Sequence, residues 1–371
     1  MMKMIHLVAG ARPNFMKIAP IVRALRARAD VFEFRLIHTG QHYDREMSDV
    51  FFEELGIPRP DFHLEAGGAT HAEQTARIMV AYEAILKDHR PDCTLVVGDV
   101  NSTLACSVVA KKAGIPVAHV EAGLRSGDMS MPEEINRLVT DAITDWFFVT
   151  EPSGQQNLLR EGKPADRVFA VGHVMVDNLF FQLAQLAHAD PTQFDSAALK
   201  ASLPRFGVVT LHRPSNVDHP DVLRGIMGAL AVVAEQLPLV FPVHPRTRGQ
   251  LEKAGIAVSP RITLTRPLSY MDFLNLWKDA ALVLTDSGGL QEETTALGIP
   301  CLTLRENTER PVTVDEGSNT LVGTDPAAIV AAALPVLAQG GKTGRVPALW
   351  DGRAAERIVA ELARLLSPAA A

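Results

Sequence analysis

Short apolar runs alternate with amphipathic stretches along the whole chain. Runs at 5–8, 34–39, 94–97, 117–120, 146–149 and 168–171 are each followed by a helical pattern. The series restarts at 207–211, 239–243, 262–264, 281–285, 301–304 and 320–322. Continuous apolar runs read as strands buried on both faces, and strand-then-helix repeats build parallel sheets. The pattern therefore predicts an α/β protein with two Rossmann-like, doubly wound parallel sheets. The stretch 179–204, rich in Ala, Gln and Asp and carrying Pro191 and Pro204, separates the two sets and is the expected linker between domains at 1–178 and 205–351. Ligands of such sheets bind at the carboxyl ends of the strands, so the active site is expected in a cleft between the two domains.

Composition fits this picture and narrows the function. A chain of 371 residues, 47% hydrophobic, is long enough for about two domains. With 36 basic against 43 acidic residues the formal net charge is -7, which argues against a nucleic-acid or anionic-membrane footprint and leaves any anion to a local site. The three cysteines are too few and scattered for a disulfide framework or a metal knuckle. The longest apolar stretch, 327–338, contains Pro335 and is well short of the roughly 20 residues that span a bilayer. Arg12 and Lys17 follow the first apolar run too soon for a signal peptide, so a cytoplasmic protein is expected.

Polar residues collect at the predicted strand ends. After the first strand, Gly10-Ala11-Arg12-Pro13-Asn14 leads into a helix carrying Lys17, where two cations either face a phosphate or form an exposed basic turn. Gly98-Asp99 follows the strand at 94–97, with Asp99 either a helix cap or a functional carboxylate. Glu121 ends the strand at 117–120, and Glu133 opens a later helix, where acidic residues complement the dipole anyway. Three carboxylates over one cleft form an arrangement able to raise the pKa of one and make a general base. In the second half His212 lies at a strand end, and Ser287-Gly288-Gly289 exposes helix N–H groups to a diphosphate. Of the Glu292-Glu293 pair one turn on, a carboxylate is suited to accept ribose hydroxyls, and Arg310 adds a cation. The chain has no GxGxxG at its first helix and no Asp-x-Asp, and Gly40 between His38 and His42 argues against a helical metal pair, so no dinucleotide cofactor or metal is expected.

Gly10-Ala11-Arg12-Pro13, Thr39-Gly40-Gln41-His42, Gly98-Asp99, His119 through Arg125, Pro132 through Arg137, Thr285 through Glu293 and Thr308 through Pro311 together resemble the non-hydrolysing UDP-N-acetylglucosamine 2-epimerases, in order and over nearly the whole chain. The resemblance implies a glycosyltransferase-B-like fold whose last helix, within 352–371, packs back on the first domain. It implies reversible conversion of UDP-N-acetylglucosamine to UDP-N-acetylmannosamine through a 2-acetamidoglucal, without cofactor or metal. Asp99, Glu121, Glu133 and His212 match the family's catalytic positions. Arg12, Lys17, Ser287, Gly288, Gly289, Glu293 and Arg310 match its nucleotide-binding positions, and Phe273 matches an aromatic near the uracil. Gln41, His42 and His244 correspond to residues that bind a second UDP-N-acetylglucosamine as an activator, and the family suggests a homodimer.

Three positions depart from the common pattern. Asn14 stands where many members have Glu, Pro214-Ser215-Asn216 replaces Arg-Glu-Asn, and Gly172-His173 replaces Gly-Asn. The alternatives are an epimerase of UDP-2,3-diacetamido-2,3-dideoxyglucuronic acid, which needs a further cation near C6, and a hydrolysing epimerase that releases N-acetylmannosamine and UDP. A glycosyltransferase or a silent sugar-nucleotide sensor would not need this set of acid and base groups.

Overall fold

The computed structural model describes residues 2–40, 52, 54–67, 70–342 and 344–367. They form two compact units, one of residues 1–178 with 348–371 and the other of 179–347.

The first unit runs β1 (Lys3–Ala9), α1 (Arg12–Arg26), β2 (Phe32–His38), β3 (Phe62–His63), α2 (His71–Asp88), β4 (Cys93–Val97), α3 (Asn101–Lys112), β5 (Val117–Val120), α4 (Pro132–Ile143), β6 (Trp146–Val149), α5 (Pro152–Arg160), β7 (Val168–Ala170) and α6 (Val174–His188), which continues into the second unit. Seven parallel strands lie in the order β3-β2-β1-β4-β5-β6-β7. The central strands are apolar because both faces are covered, and β4, Cys-Thr-Leu-Val-Val, is buried throughout. The edge strand β3 was not anticipated; it is two residues long, too short for a periodicity to register.

The second unit holds α7 (Asp195–Ser202), β8 (Gly207–Thr210), α8 (Pro214–Val217), α9 (Pro220–Ala234), β9 (Leu239–Pro242), α10 (Pro245–Lys253), β10 (Ile262–Thr265), α11 (Tyr270–Trp277), β11 (Leu282–Thr285), α12 (Gly288–Leu297), β12 (Cys301–Thr303), α13 (Pro311–Asp315), β13 (Asn319–Leu321) and α14 (Pro326–Gln339). Its six strands are parallel in the order β10-β9-β8-β11-β12-β13. The core of this unit gathers Val209, Ile226, Leu230, Phe241, Leu284 and Ile329. The stretch at 179–204, expected as a linker, contains the end of α6 and α7; Ser196 of α7 donates its N–H to Asp272 of α11 at 2.9 Å.

The final helix, α15 (Ala354–Leu366), buries Ile358 and Leu362 in the first unit's core with Ile5, Ile18, Leu25 and Phe148. Asp177 of α6 receives its first turn, accepting from Ala354 N at 3.0 Å and Ala355 N at 2.7 Å. Burial pushes the Asp177 carboxyl up to about 6, against the pull of those two N–H groups. The preceding Trp350 is 1% exposed, donates Nε1 to Thr150 O at 3.1 Å and meets the His173 ring edge-on at 5.1 Å. Gly172 has φ +88, and a Cβ there would lie 2.0 Å from Leu349 O, so this turn requires the glycine; the residue that departs from the common Gly-Asn is His173, the one that packs on Trp350. Trp350→Ala leaves the indole's space empty and is expected to cost about 3–5 kcal/mol. Urea unfolding followed by far-UV circular dichroism checks this; an unchanged midpoint would show that the indole adds nothing to stability.

Candidate active site

In each sheet the strand order reverses direction at one point, between β1 and β4 in the first and between β8 and β11 in the second. The turns that leave such neighbours diverge and open a crevice at their carboxyl ends. In the first unit these turns are 10–14 and 98–100. Asn14, 2% exposed, ties them together: its Oδ1 accepts from Ala11 N at 3.1 Å and its Nδ2 donates to Val97 O at 3.0 Å. The neutral amide serves here because it faces both a donor and an acceptor, which a carboxylate cannot do. Gly98 turns at φ +70, with Lys17 Nζ 3.2 Å from where a Cβ would stand. Asp99 then receives Arg137 Nη1, and its own carbonyl accepts from Asn136 Nδ2 at 2.8 Å.

Glu121 follows β5 directly and adopts φ +69. A non-glycine residue held there costs about 1–3 kcal/mol, a strain that concentrates at functional sites. Its side chain is 2% exposed and forms an ion pair of 2.6 Å with Lys17. Beneath it, His119 Nδ1 lies 2.7 Å from Asp141 Oδ1 and Nε2 lies 2.9 Å from Gly98 O. Each ring nitrogen of His119 thus faces an acceptor, one the Asp141 carboxylate and the other the Gly98 carbonyl. Asp141 Oδ2 also accepts from Gly123 N at 3.0 Å and pairs with Arg125 at 2.8 Å. Burial opposes ionisation of Asp141, yet His119, Arg125 and the Gly123 N–H together hold its pKa below the usual range. Gly123 is required by its φ of +79 and by Gly154 O, 2.2 Å from where a Cβ would stand.

Of the Glu133-Glu134 pair, Glu133 is half-buried in the first turn of α4 and Glu134 is buried. Glu134 accepts from Ser126 N and Gly127 N at 3.0 Å each and from Arg137 Nη2 at 2.6 Å. Burial opposes its charge, but these donors hold its pKa below the usual value. Glu134 therefore orients the arginine that holds Asp99. Of the three carboxylates expected over the cleft, Asp99 and Glu121 each contact a cation, as does Glu134, the neighbour of Glu133.

In the second unit His212 follows β8, with its side chain about half exposed. Its Nδ1 lies 2.9 Å from Oδ1 of the fully buried Asp286, so Nε2 is the ring nitrogen outside that contact. Asp286 also accepts from His212 N and Arg213 N, each at 3.0 Å, and from Asn216 Nδ2 at 3.2 Å, while Asn216 donates to Leu304 O at 2.9 Å. Burial opposes its charge, and the His212 contact with the backbone N–H groups overcomes this, so Asp286 stays ionised below the usual range. Asn216 is thus the retained and anchored member of the altered Pro214-Ser215-Asn216 segment.

Ser287 holds the N-cap position of α12 without a side-chain capping bond, and around Gly288 and Gly289 a Cβ would meet nothing within 4 Å, so the helix start is open to an anion. The two glutamates one turn on divide their tasks: Glu292 pairs with Arg310, and Glu293 Oε1 accepts from Tyr270 Oη at 2.8 Å. Phe273 is half-buried on α11, the helix that carries Tyr270. The Arg310 turn is fixed by Thr308 Oγ1, which accepts from Arg310 N at 3.1 Å and donates to Gln291 Oε1 at 2.8 Å. Beside it, burial would raise Glu309, but two hydrogen bonds from Arg305 hold it at about 2. His244 is exposed and caps α10 by accepting from Arg246 N at 3.2 Å.

The structure thus brings Lys17, Glu121 and Asp99 together in one unit, and Ser287, Gly288, Gly289, Glu293, Phe273 and Arg310 on neighbouring elements of the other. Gln41, His42 and the side chain of Arg12 lie outside the described residues. Sequence reasoning missed Arg137, Asp141, Tyr270 and the tie from Asp286 to His212. Asp286 carried a signal, a carboxylate directly after an apolar strand; Asp141 and Tyr270 did not, since their partners lie 22 and 23 residues away.

The family model for UDP-N-acetylglucosamine 2-epimerase matches residues 23–363. A UDP-N-acetylglucosamine 2-epimerase of Methanocaldococcus jannaschii is 38% identical over 363 residues, covering 96% of this chain and 97% of that one. A UDP-2,3-diacetamido-2,3-dideoxy-D-glucuronate 2-epimerase of Pseudomonas aeruginosa is 40% identical over 365 residues, with 96% and 99% covered. The crystal structure of the M. jannaschii enzyme in complex with UDP-GlcNAc and UDP superposes with a TM-score of 0.85 at 38% identity, covering 97% of this chain and 99% of that one. The UDP-GlcNAc 2-epimerase from Neisseria meningitidis bound to UDP-GlcNAc gives 0.87 at 29% identity, with 97% and 100% covered. The two parallel sheets are those of the glycosyltransferase-B-like fold, and the chain belongs to the UDP-N-acetylglucosamine 2-epimerase family.

Proposed function

We propose that this chain interconverts UDP-N-acetylglucosamine and UDP-N-acetylmannosamine by elimination and re-addition of UDP. A base removes the C2 proton, the C2–H electron pair becomes the C1=C2 double bond, and the C1–O bond breaks to release UDP. The 2-acetamidoglucal then takes a proton on the opposite face of C2 as a UDP oxygen re-forms the C1 bond. One proton leaves C2 and another is added to it, and UDP re-adds, so no outside oxidant or reductant enters the balance.

The observation that carries this reading is the set of acid and base groups at strand ends, each fixed by its own partner: Asp99 by Arg137, Glu121 by Lys17 and His212 by Asp286. Together with Glu133, these are the candidates for the two faces of C2. Lys17, Arg310 and the α12 start, with Arg12, serve the diphosphate, whose charge grows as it departs. Glu293 serves the ribose and Phe273 the uracil, which makes 205–351 the UDP-binding domain and 1–178 the domain that carries the carboxylates, with 352–371 packed on the latter. The same reading extends to a cytoplasmic homodimer and to a second UDP-N-acetylglucosamine as activator at Gln41, His42 and His244. The relative from Pseudomonas aeruginosa supports a second reading, epimerisation of the diacetamido uronate.

Proton NMR with UDP-N-acetylglucosamine in D2O is expected to show UDP-N-acetylmannosamine carrying deuterium at C2. Free N-acetylmannosamine with UDP would replace this reading with the hydrolysing one. An unchanged spectrum, followed by turnover of the diacetamido uronate, would replace it with the second.

Asp99→Asn, Glu121→Gln and His212→Asn are each expected to lower kcat at least about 100-fold, the usual range for acid and base groups. A folded Asp99→Asn variant with near-wild-type turnover would remove Asp99 from the catalytic set.

A further inference from the structure

Tyr270 opens α11, and its hydroxyl donates to Glu293 Oε1 at 2.8 Å. The start of the helix that carries the phenol is fixed by two further bonds. Ser269 caps the helix by accepting from Asp272 N at 3.2 Å, and Asp272 in turn accepts from Ser196 N of α7 at 2.9 Å. Burial, and then the charge of Glu293 and the hydrogen bond to it, hold the Tyr270 pKa well above its usual value, so the hydroxyl stays a donor. Glu293 itself is 5% exposed. It lies four residues after Gly289 and so on the same helix face, one turn below the open N–H groups. A nucleotide whose diphosphate rests on those groups presents its ribose to that flank of the helix.

We propose that Tyr270 is a positioning residue for ribose recognition: it locks the Glu293 carboxylate in the orientation that accepts a ribose hydroxyl, and so sets selectivity for ribonucleotides over 2′-deoxyribonucleotides. This rests on the reading that the second unit binds UDP. A carboxylate can accept several hydrogen bonds at once, so the phenol and a ribose hydroxyl are compatible partners. The Tyr270 hydroxyl is a neutral donor to Glu293, and the neighbouring Glu292 faces the Arg310 guanidinium. Tyr270 touches no reacting atom, and its effect is on affinity and selectivity.

The test is calorimetric titration of the full chain with UDP and with 2′-deoxy-UDP, using wild type and Tyr270→Phe. Wild type is expected to prefer UDP by about tenfold or more, in line with one hydrogen bond to a charged group. In Tyr270→Phe the UDP affinity is expected to fall toward that of 2′-deoxy-UDP, with the deoxy affinity nearly unchanged. A purely structural role would lower both affinities equally, and an unchanged ratio overturns the proposal. So does a wild type that binds UDP without preference. A wild type that binds neither nucleotide overturns the UDP reading itself, and this proposal with it. Tyr270→Leu, which also lacks the hydroxyl, reads the same ratio if the Phe variant does not fold.

Discussion

In a parallel sheet every strand runs the same way, so the chain must cross back over a face before it can add the next strand. All the turns that leave strand carboxyl ends therefore fall on one edge, whatever their separation in sequence. In this chain that constraint places Asp99 and Glu121 beside Lys17, although Lys17 and Glu121 are 104 residues apart. It likewise sets His212 against Asp286, 74 residues on. The reversals of strand order between β1 and β4 and between β8 and β11 then decide which turns diverge enough to admit a ligand.

The edge alone would leave these turns loose; buried carboxylates fasten them. Asp141 and Asp286 are both 0% exposed, and an isolated charge at that depth would be strongly unfavourable. Each is stabilised by backbone N–H groups and by a histidine, and the same bonds that satisfy the charge fix the turn. The backbone of 119–123 is held by Asp141, and that of 212–213 by Asp286. Removing such a carboxylate would leave several buried donors unpaired at once, the expensive side of hydrogen-bond energetics. Stability and site geometry are therefore the same set of bonds.

This explains what was legible in the sequence. The apolar runs announced twelve of the thirteen strands found among the described residues, because a strand buried on both faces leaves an unbroken local signature. Asp99, Glu121 and His212 were legible because a polar residue directly after such a run must lie at the sheet edge. The partners were not. Arg137 sits one turn into the body of α4, where a buried arginine and an exposed one follow the same helical spacing. Glu133 and Glu134 are adjacent acidic residues in a first turn, and only the packed structure shows that Glu134 takes the buried place. The reason for Asn14 became visible only with Val97 O opposite its amide.

The pairing of strand-end carboxylates with cations has a consequence for the proposed reaction. Lys17 and Arg310 are pre-oriented by Glu121 and Glu292, so each loses little side-chain freedom when it meets an anion. A carboxylate in contact also lowers the net charge that each cation presents to a phosphate. That moderates binding in the ground state, where tight binding would not speed the step. When Glu121 takes up a proton its negative charge is lost, and Lys17 regains the share of its charge that the 2.6 Å pair had offset. Proton abstraction by Glu121 would in this way strengthen the cation at the moment the leaving diphosphate gains charge. The stabilisation would appear in the transition state and fade once Glu121 gives up its proton.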